Sequence, residues 1–397
     1  MILKKIISNK HSIKIFALFF ILMLLSDFLM KLNLVYQIFP FFRFSGVLKI
    51  TFQLYLLLFA FKNKINKRFV YLILILTSSF FIGQFFLVKN SIFDNNLLDE
   101  FLKGDIYHLN KYFFIILFVA VIKEYSCKIE LSKSVINTLI IVLSLNSILI
   151  LIGFVFDVNL FQSFPGSTRF GYSGLFVKSG ESTLLYLLIS IYFYIQFLKG
   201  KHILPVIYFV IIALLSGKKI AFLIIPLFYL IHFCIQSKYK TVFIFLGVSI
   251  TGLVLIFKKI IIEYIVSFFP FWEKLLEERG FWTVIFSTRD LNFHRTFDYI
   301  NQNWLPINYL FGGTSYNHLR IEIDPFDLFV FFGIVGSLSY MFFIYKCFFN
   351  VLRNRTIKLL IIGYVVIGMI YGAFLFNILL MTLLYLFIIT CDILEKE

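Results

Sequence analysis

The sequence predicts an all-α integral membrane protein that crosses a bilayer about twelve times, with both termini inside. Three observations predict it: composition, the block-wise arrangement of apolar residues, and the sidedness of charge. Of 397 residues, 60% are hydrophobic, 20% aromatic and only 15% charged, against roughly half apolar and a quarter charged in a soluble domain. The apolar residues lie in blocks rather than at helical spacing. A hydrocarbon core about 30 Å thick needs roughly 20 of them per helical crossing. Such blocks recur from end to end, so residues 1–397 read as one polytopic membrane domain with no soluble appendage.

The first block, Ile13 to Leu29, follows Lys4, Lys5, Lys10 and Lys14. It has the look of a signal sequence, but no small-residue cleavage pattern follows it, so it reads as an uncleaved first span. Further blocks cover about 44–61, 69–88, 107–122, 134–156 and 183–198, then about 203–217, 219–235, 241–261, 326–345, 358–375 and 377–391. With the N-terminus inside, the segments 1–14, 62–68, 123–133, 199–202, 236–240, 346–358 and the tail hold 20 of the 37 basic residues. The other 17 are spread over more than twice that length. Lys and Arg concentrate on the cytoplasmic side of membrane proteins, so the net charge of +16 is mostly a topology signal and excludes a nucleic-acid footprint. Cys127, Cys234, Cys347 and Cys391 all fall in inside segments or at inside span ends, away from the oxidising face. Their spacing forms neither a disulfide framework nor a metal motif.

The outer side carries the polar chemistry. Its main loops are about 89–106, 157–182 and 262–325, and the last holds Trp272, Trp282 and Trp304. Trp favours the headgroup level. This loop is therefore expected to lie on the membrane as short helices, such as 271–279 and 293–303, with its Trp residues as anchors and sugar stacking as the alternative. Four clusters stand out. Arg169, Lys178 and Glu181 lie among Gly166, Gly171, Gly174 and Gly180, where irregular backbone suits the lining of a cavity. Lys218 and Lys219 form a tight turn between two spans, and a solvated turn is the bland alternative. Arg289, His294 and Arg295 follow, with Arg295 about two helical turns beyond Arg289; lipid-headgroup contact is the alternative for both arginines. Last come His318, Arg320, Glu322, Asp324 and Asp327, where three carboxylates enter an apolar span. Burial of such groups is costly unless they face a cavity or cations. Gly333 and Gly336, and Gly368 with Gly372, fit close helix packing.

Guanidinium binds diphosphate oxygens in a planar fork, ammonium as a point charge. A nearby carboxylate or imidazole can accept a proton from an attacking hydroxyl. The set suits a lipid-linked diphosphate donor whose leaving group needs charge stabilisation. An Asp-rich metal motif and a phosphate-cradling Gly-rich loop are both lacking in the sequence, so a metal-free, cofactor-free mechanism is expected.

The order of these features resembles the bacterial O-antigen ligase and O-antigen polymerase superfamily. The residues that carry the resemblance are Arg169 to Gly174, Ser216-Gly217-Lys218-Lys219, Ser287-Thr288-Arg289, Gly312-Gly313, and Glu322-Ile323-Asp324 leading into Gly333 and Gly336. The sharpest stretch is about 287–340. The resemblance implies a multi-span glycosyltransferase of the bacterial inner membrane. Its active site would face the periplasm or exterior and its donor would be an undecaprenyl-diphosphate-linked oligosaccharide. By position, Arg169, Lys218 or Lys219, Arg289 and Arg295 would hold the diphosphate. Glu322 or His318 would be the base, with Asp324 completing the acidic pair. Where the family's turn often carries Arg, this chain has Lys218 and Lys219, and His318 only approximates the position ligases use. The acidic pair before a span favours a polymerase of O-antigen, capsule or exopolysaccharide over a ligase that transfers finished glycan to lipid A core or protein. Membrane lipids and a chain-length regulator are the other expected partners. A lipid-linked oligosaccharide flippase would show two similar halves, and the two halves of this chain differ in loop length and character.

Overall fold

In hydrocarbon the backbone must satisfy its own N–H and C=O groups, and a helix does so within one segment. The computed structural model describes residues 9–38, 44–63, 65–87, 101–167, 169–236, 238–256, 270–316 and 319–394. Among these residues the chain is helical with no strand, and a lone antiparallel bridge joins Gln162 to Tyr172. The first half comprises α1 (Asn9–Tyr36), α2 (Phe44–Asn63), α3 (Lys67–Phe85), α4 (Tyr107–Glu124), α5 (Lys128–Phe156) and α6 (Ser179–Leu198). Next come α7 (Leu204–Leu215), α8 (Ile224–Tyr229) and α9 (Lys240–Ile256). Four short helices follow: α10 (Pro270–Arg279), α11 (Phe281–Phe286), α12 (Arg289–Asn303) and α13 (Pro306–Phe311). The last three are α14 (Asp324–Ile344), α15 (Arg355–Tyr371) and α16 (Ile378–Leu394).

Each apolar block is helical within the described residues, but length and composition by themselves carry seven crossings, α1 to α6 and α14. The remaining apolar helices are shorter. Local chemistry sets the ends. The Asn66 side chain accepts from Arg68 N at 3.0 Å to cap α3, and Asn354 accepts from Thr356 N at 2.9 Å to cap α15. Pro306 and Pro325 occupy first turns, where their missing N–H costs nothing. Helices α4 and α6 sit in the interior, while side chains such as Leu58 and Phe61 on α2 and Val248 on α9 are exposed, as a lipid-facing surface requires. Packing pairs α6 with α7, α3 with α14, and α16 with α5.

Two ends of the bundle differ in character. At one, Phe69 packs on Phe343, Phe59 on Tyr125 and Lys123 over Phe69, gathering segments whose basic residues mark them as inside. At the other, Asp105 accepts from Tyr316 N at 2.9 Å and Lys31 donates to Gly174 O at 2.6 Å. Trp304 belongs to this second end as a buried residue, donating from Nε1 to Thr314 Oγ1 at 2.8 Å beside Leu87 and Ile300. It is neither a headgroup anchor nor an exposed stacking platform. Gly333 packs as closely as expected, a Cβ there lying 2.4 Å from the Leu310 backbone of α13, and it does more. Its φ of 63° interrupts α14, and the freed carbonyls of Phe331 and Val330 accept from Gly313 N and Thr314 N at 3.0 and 3.2 Å. The Gly312-Gly313 turn thus wedges between that break and Gly83 of α3. A Cβ on Gly313 would lie 2.2 Å from the Gly83 carbonyl carbon.

Candidate active site

Loop 163–176 supplies the first cation and lies on the C-terminal turn of α7. Tyr172 N donates to Leu215 O at 2.8 Å and Ser163 Oγ to Ser216 O at 3.0 Å. Two glycines permit the contact: a Cβ on Gly217 would stand 1.9 Å from Phe170 O, and one on Gly171 2.4 Å from Ser216 O. The consequence is chemical. The Arg169 guanidinium sits 4.1 Å and the Lys218 ammonium 4.9 Å from the centre of one ring, that of Phe164. Two like charges lie against one ring, an arrangement that tolerates cations, and each raises the cost of the other's charge.

The next cation comes from the start of α12. Ser287 and Thr288 both take left-handed backbone, with φ of 53° and 71°. For a β-branched residue such as Thr288 this is a true outlier. The double turn delivers Arg289, whose Nη2 donates to Tyr371 O at 2.6 Å. Its Nε lies 3.9 Å from Glu322 Oε2, beyond hydrogen-bond reach, and is buried with no hydrogen-bond partner among the described residues. Glu322 is itself left-handed (φ 62°), as is Ala373 (φ 69°), which packs beside it through Gly372. Four of the six left-handed non-glycine residues among the described residues therefore surround one guanidinium. Strain of this kind costs about 1–3 kcal/mol per residue and gathers at functional sites.

The electrostatics agree with the geometry. Burial, then the charges of Arg169 and Arg289, bring the Lys218 ammonium down to about 8, with Glu322 opposing the shift. Burial also works against the Arg289 charge while Glu322 supports it, and a guanidinium stays protonated throughout. Lys219 is more exposed and turns its ammonium to Val284 O at 2.5 Å.

Searches against protein-family models, curated proteins and solved structures give no match.

The expected residues divide into those the fold gathers and those it places elsewhere. Arg169, Lys218, Arg289 and Glu322 converge, and Lys219 stands beside them. Arg295 is exposed on α12, on a different face from Arg289. His318 lies outside the described residues, as do positions 262–269 of the long outer loop. Asp324 is 1% exposed and accepts from Ala373 N, Phe374 N and Leu375 N at 2.6, 2.9 and 2.7 Å. Its carboxylate ties the α15–α16 link to the start of α14 rather than reaching the cations. Asp327 likewise accepts from Ile321 N at 2.8 Å and faces Arg320 at 3.5 Å. Among the three carboxylates only Glu322, 51% exposed, is available to a ligand. Sequence reasoning missed Tyr371, whose carbonyl orients Arg289, and Lys49 and Lys111. An ionisable residue inside an apolar block was the signal available for the two lysines.

Proposed function

We propose that this protein is a polymerase of surface polysaccharide in the bacterial cytoplasmic membrane, transferring undecaprenyl-diphosphate-linked glycan to a sugar hydroxyl of another lipid-linked repeat. The proposal includes twelve crossings, both termini inside and the site on the outer face. One observation carries it: Arg169 and Arg289 both act on Lys218, and Lys218 and Arg289 lie near a single loosely paired carboxylate, Glu322, at the end of the bundle expected to collect the outer loops. Arg289 and its neighbours hold the donor diphosphate and take up the charge that grows on it as the sugar C1–O bond breaks. Glu322 accepts the proton of the attacking hydroxyl as the new glycosidic bond forms, and the lipid diphosphate leaves. Asp324 positions Glu322 through the 373–375 backbone.

The test is a polysaccharide ladder from cells carrying Arg289→Ala or Glu322→Gln in place of the wild-type gene, with membrane levels of each variant verified. Collapse to single-repeat glycan is expected, with activity down about a hundredfold or more, in the range seen for loss of one transition-state donor. Full-length polymer from both variants would remove this site from consideration. Attached glycan lost altogether, with polymer held on the lipid carrier, would point to a ligase instead.

A further inference from the structure

Beside the cluster lies a cavity of about 70 Å³, walled by Lys49, Lys111, Lys178, Glu181, Tyr371 and Phe376. The space exceeds the roughly 10–15 Å³ that one water needs, enough to admit a phosphate-sized oxyanion. Its charge is not balanced from within. Glu181 already accepts from the Asn377 side-chain amide and lies 3.9 Å from Lys178. Asp27 of α1 is close enough to feel Glu181, Lys49 and Lys178. Arg320, 5.0 Å from the Phe376 ring centre, is matched by Asp327. Among the described residues three lysines therefore face two carboxylates, and the charge of Glu181 acts on Lys178 and also on Lys111. The Lys111 Nζ contacts the His108 ring nitrogen at 3.4 Å and the Tyr107 and Phe376 rings at 4.4 and 5.1 Å to their centres, none of them an anion. An ammonium held inside an apolar helix by π faces marks a functional position by default.

We propose that this cavity is a second anion subsite that takes a phosphate group of a lipid-borne ligand, with Lys111 as its main partner. It shares Tyr371 with the Arg289 cluster, whose guanidinium bonds the carbonyl of that residue. The inference rests on the polymerase reading in one respect: there, donor and acceptor each bring a diphosphate, and two adjoining anion sites hold them side by side.

The experiment titrates inorganic diphosphate into the full chain in phosphatidylcholine nanodiscs, followed by calorimetry. Wild type is expected to bind two diphosphates, and Lys111→Met and Arg289→Met one each, with the lost component weakened at least tenfold. Lys111→Arg, which keeps the charge, is expected to keep both. A Lys111→Met isotherm identical to wild type overturns the subsite, as does loss of the component in Lys111→Arg. An unchanged Arg289→Met isotherm with Lys111→Met reduced to one component would leave the subsite standing and the proposed active site refuted. Displacement of the Lys111 component by phosphatidylglycerol identifies a phospholipid headgroup as its ligand. Displacement by farnesyl diphosphate more tightly than by inorganic diphosphate identifies a lipid-linked diphosphate. A component that neither displaces overturns the lipid-borne assignment.

Discussion

Lys218, like Lys219 beside it, carries a charge that can be adjusted within the working range of pH. Burial and the two neighbouring arginines bring its ammonium down to about 8. A lysine so shifted is charged below that value and neutral above it, so diphosphate affinity is expected to fall as pH rises from about 7 to 9. In Lys218→Arg the guanidinium stays charged throughout that range, and the pH dependence should flatten. A wild-type affinity that is level across it would show that Lys218 does not face the anion. The three carboxylates nearby show how far spacing alone can be read. Glu322, Asp324 and Asp327 entering an apolar span called for cations or a cavity, and each has found an escape from the cost of burial: exposure for Glu322, hydrogen bonds for the buried Asp324 and Asp327. Which escape belongs to which residue was not legible, because the amides that bind Asp324 come from positions 373–375, about fifty residues along the chain. Arg289 and Glu322 were legible as types. Their loose pairing was not, because it depends on left-handed backbone at Ser287, Thr288 and Glu322 that no propensity favours.

At the scale of elements, glycines decide where loops and helices touch. Gly217 meets Phe170 O so closely that any Cβ must push the 163–176 loop off α7, and its φ of 73° adds the left-handed cost of about 1–2 kcal/mol. Gly217→Ala is therefore expected to lower thermal stability by several kcal/mol and to weaken diphosphate binding by separating Arg169 from Lys218. Gly166→Ala is the control. Its φ is also 73°, but nothing lies within 4 Å of the added methyl, so only the backbone cost should appear and binding should hold. Equal losses of binding in the two variants would show that the loop contact does not set the cation spacing. The Ser216-Gly217-Lys218 turn was visible as a motif, and its glycine is explained by this contact. Gly333 was legible as a small residue for close helix packing, which it provides against Leu310, but not as the break in α14 that lets the Gly312-Gly313 turn bond to the exposed carbonyls. Periodicity sees an unbroken apolar run there, because the break leaves no mark on hydropathy.

For the whole molecule, charge alternation and three-dimensional packing bear on sidedness independently. Lys and Arg counts divide the loops into two sets, and the fold brings members of each set together: Lys123 with Phe69 at one end, Lys219 with Val284 and Arg289 with Tyr371 at the other. What helix length leaves open is how many of the shorter apolar helices cross, since among the described residues seven are long and apolar enough by themselves. Single cysteines placed in a chain lacking Cys127, Cys234, Cys347 and Cys391 resolve both questions. Lys274→Cys, on exposed α10, is expected to react with a membrane-impermeant maleimide in intact cells. Arg353→Cys, exposed between α14 and α15, should react only after the membrane is opened. The reverse pattern would turn the Arg289 cluster toward the cytoplasm. There a lipid-linked donor already carried to the outer face could not reach it, and the polymerase reading would fall while the anion-binding geometry stood.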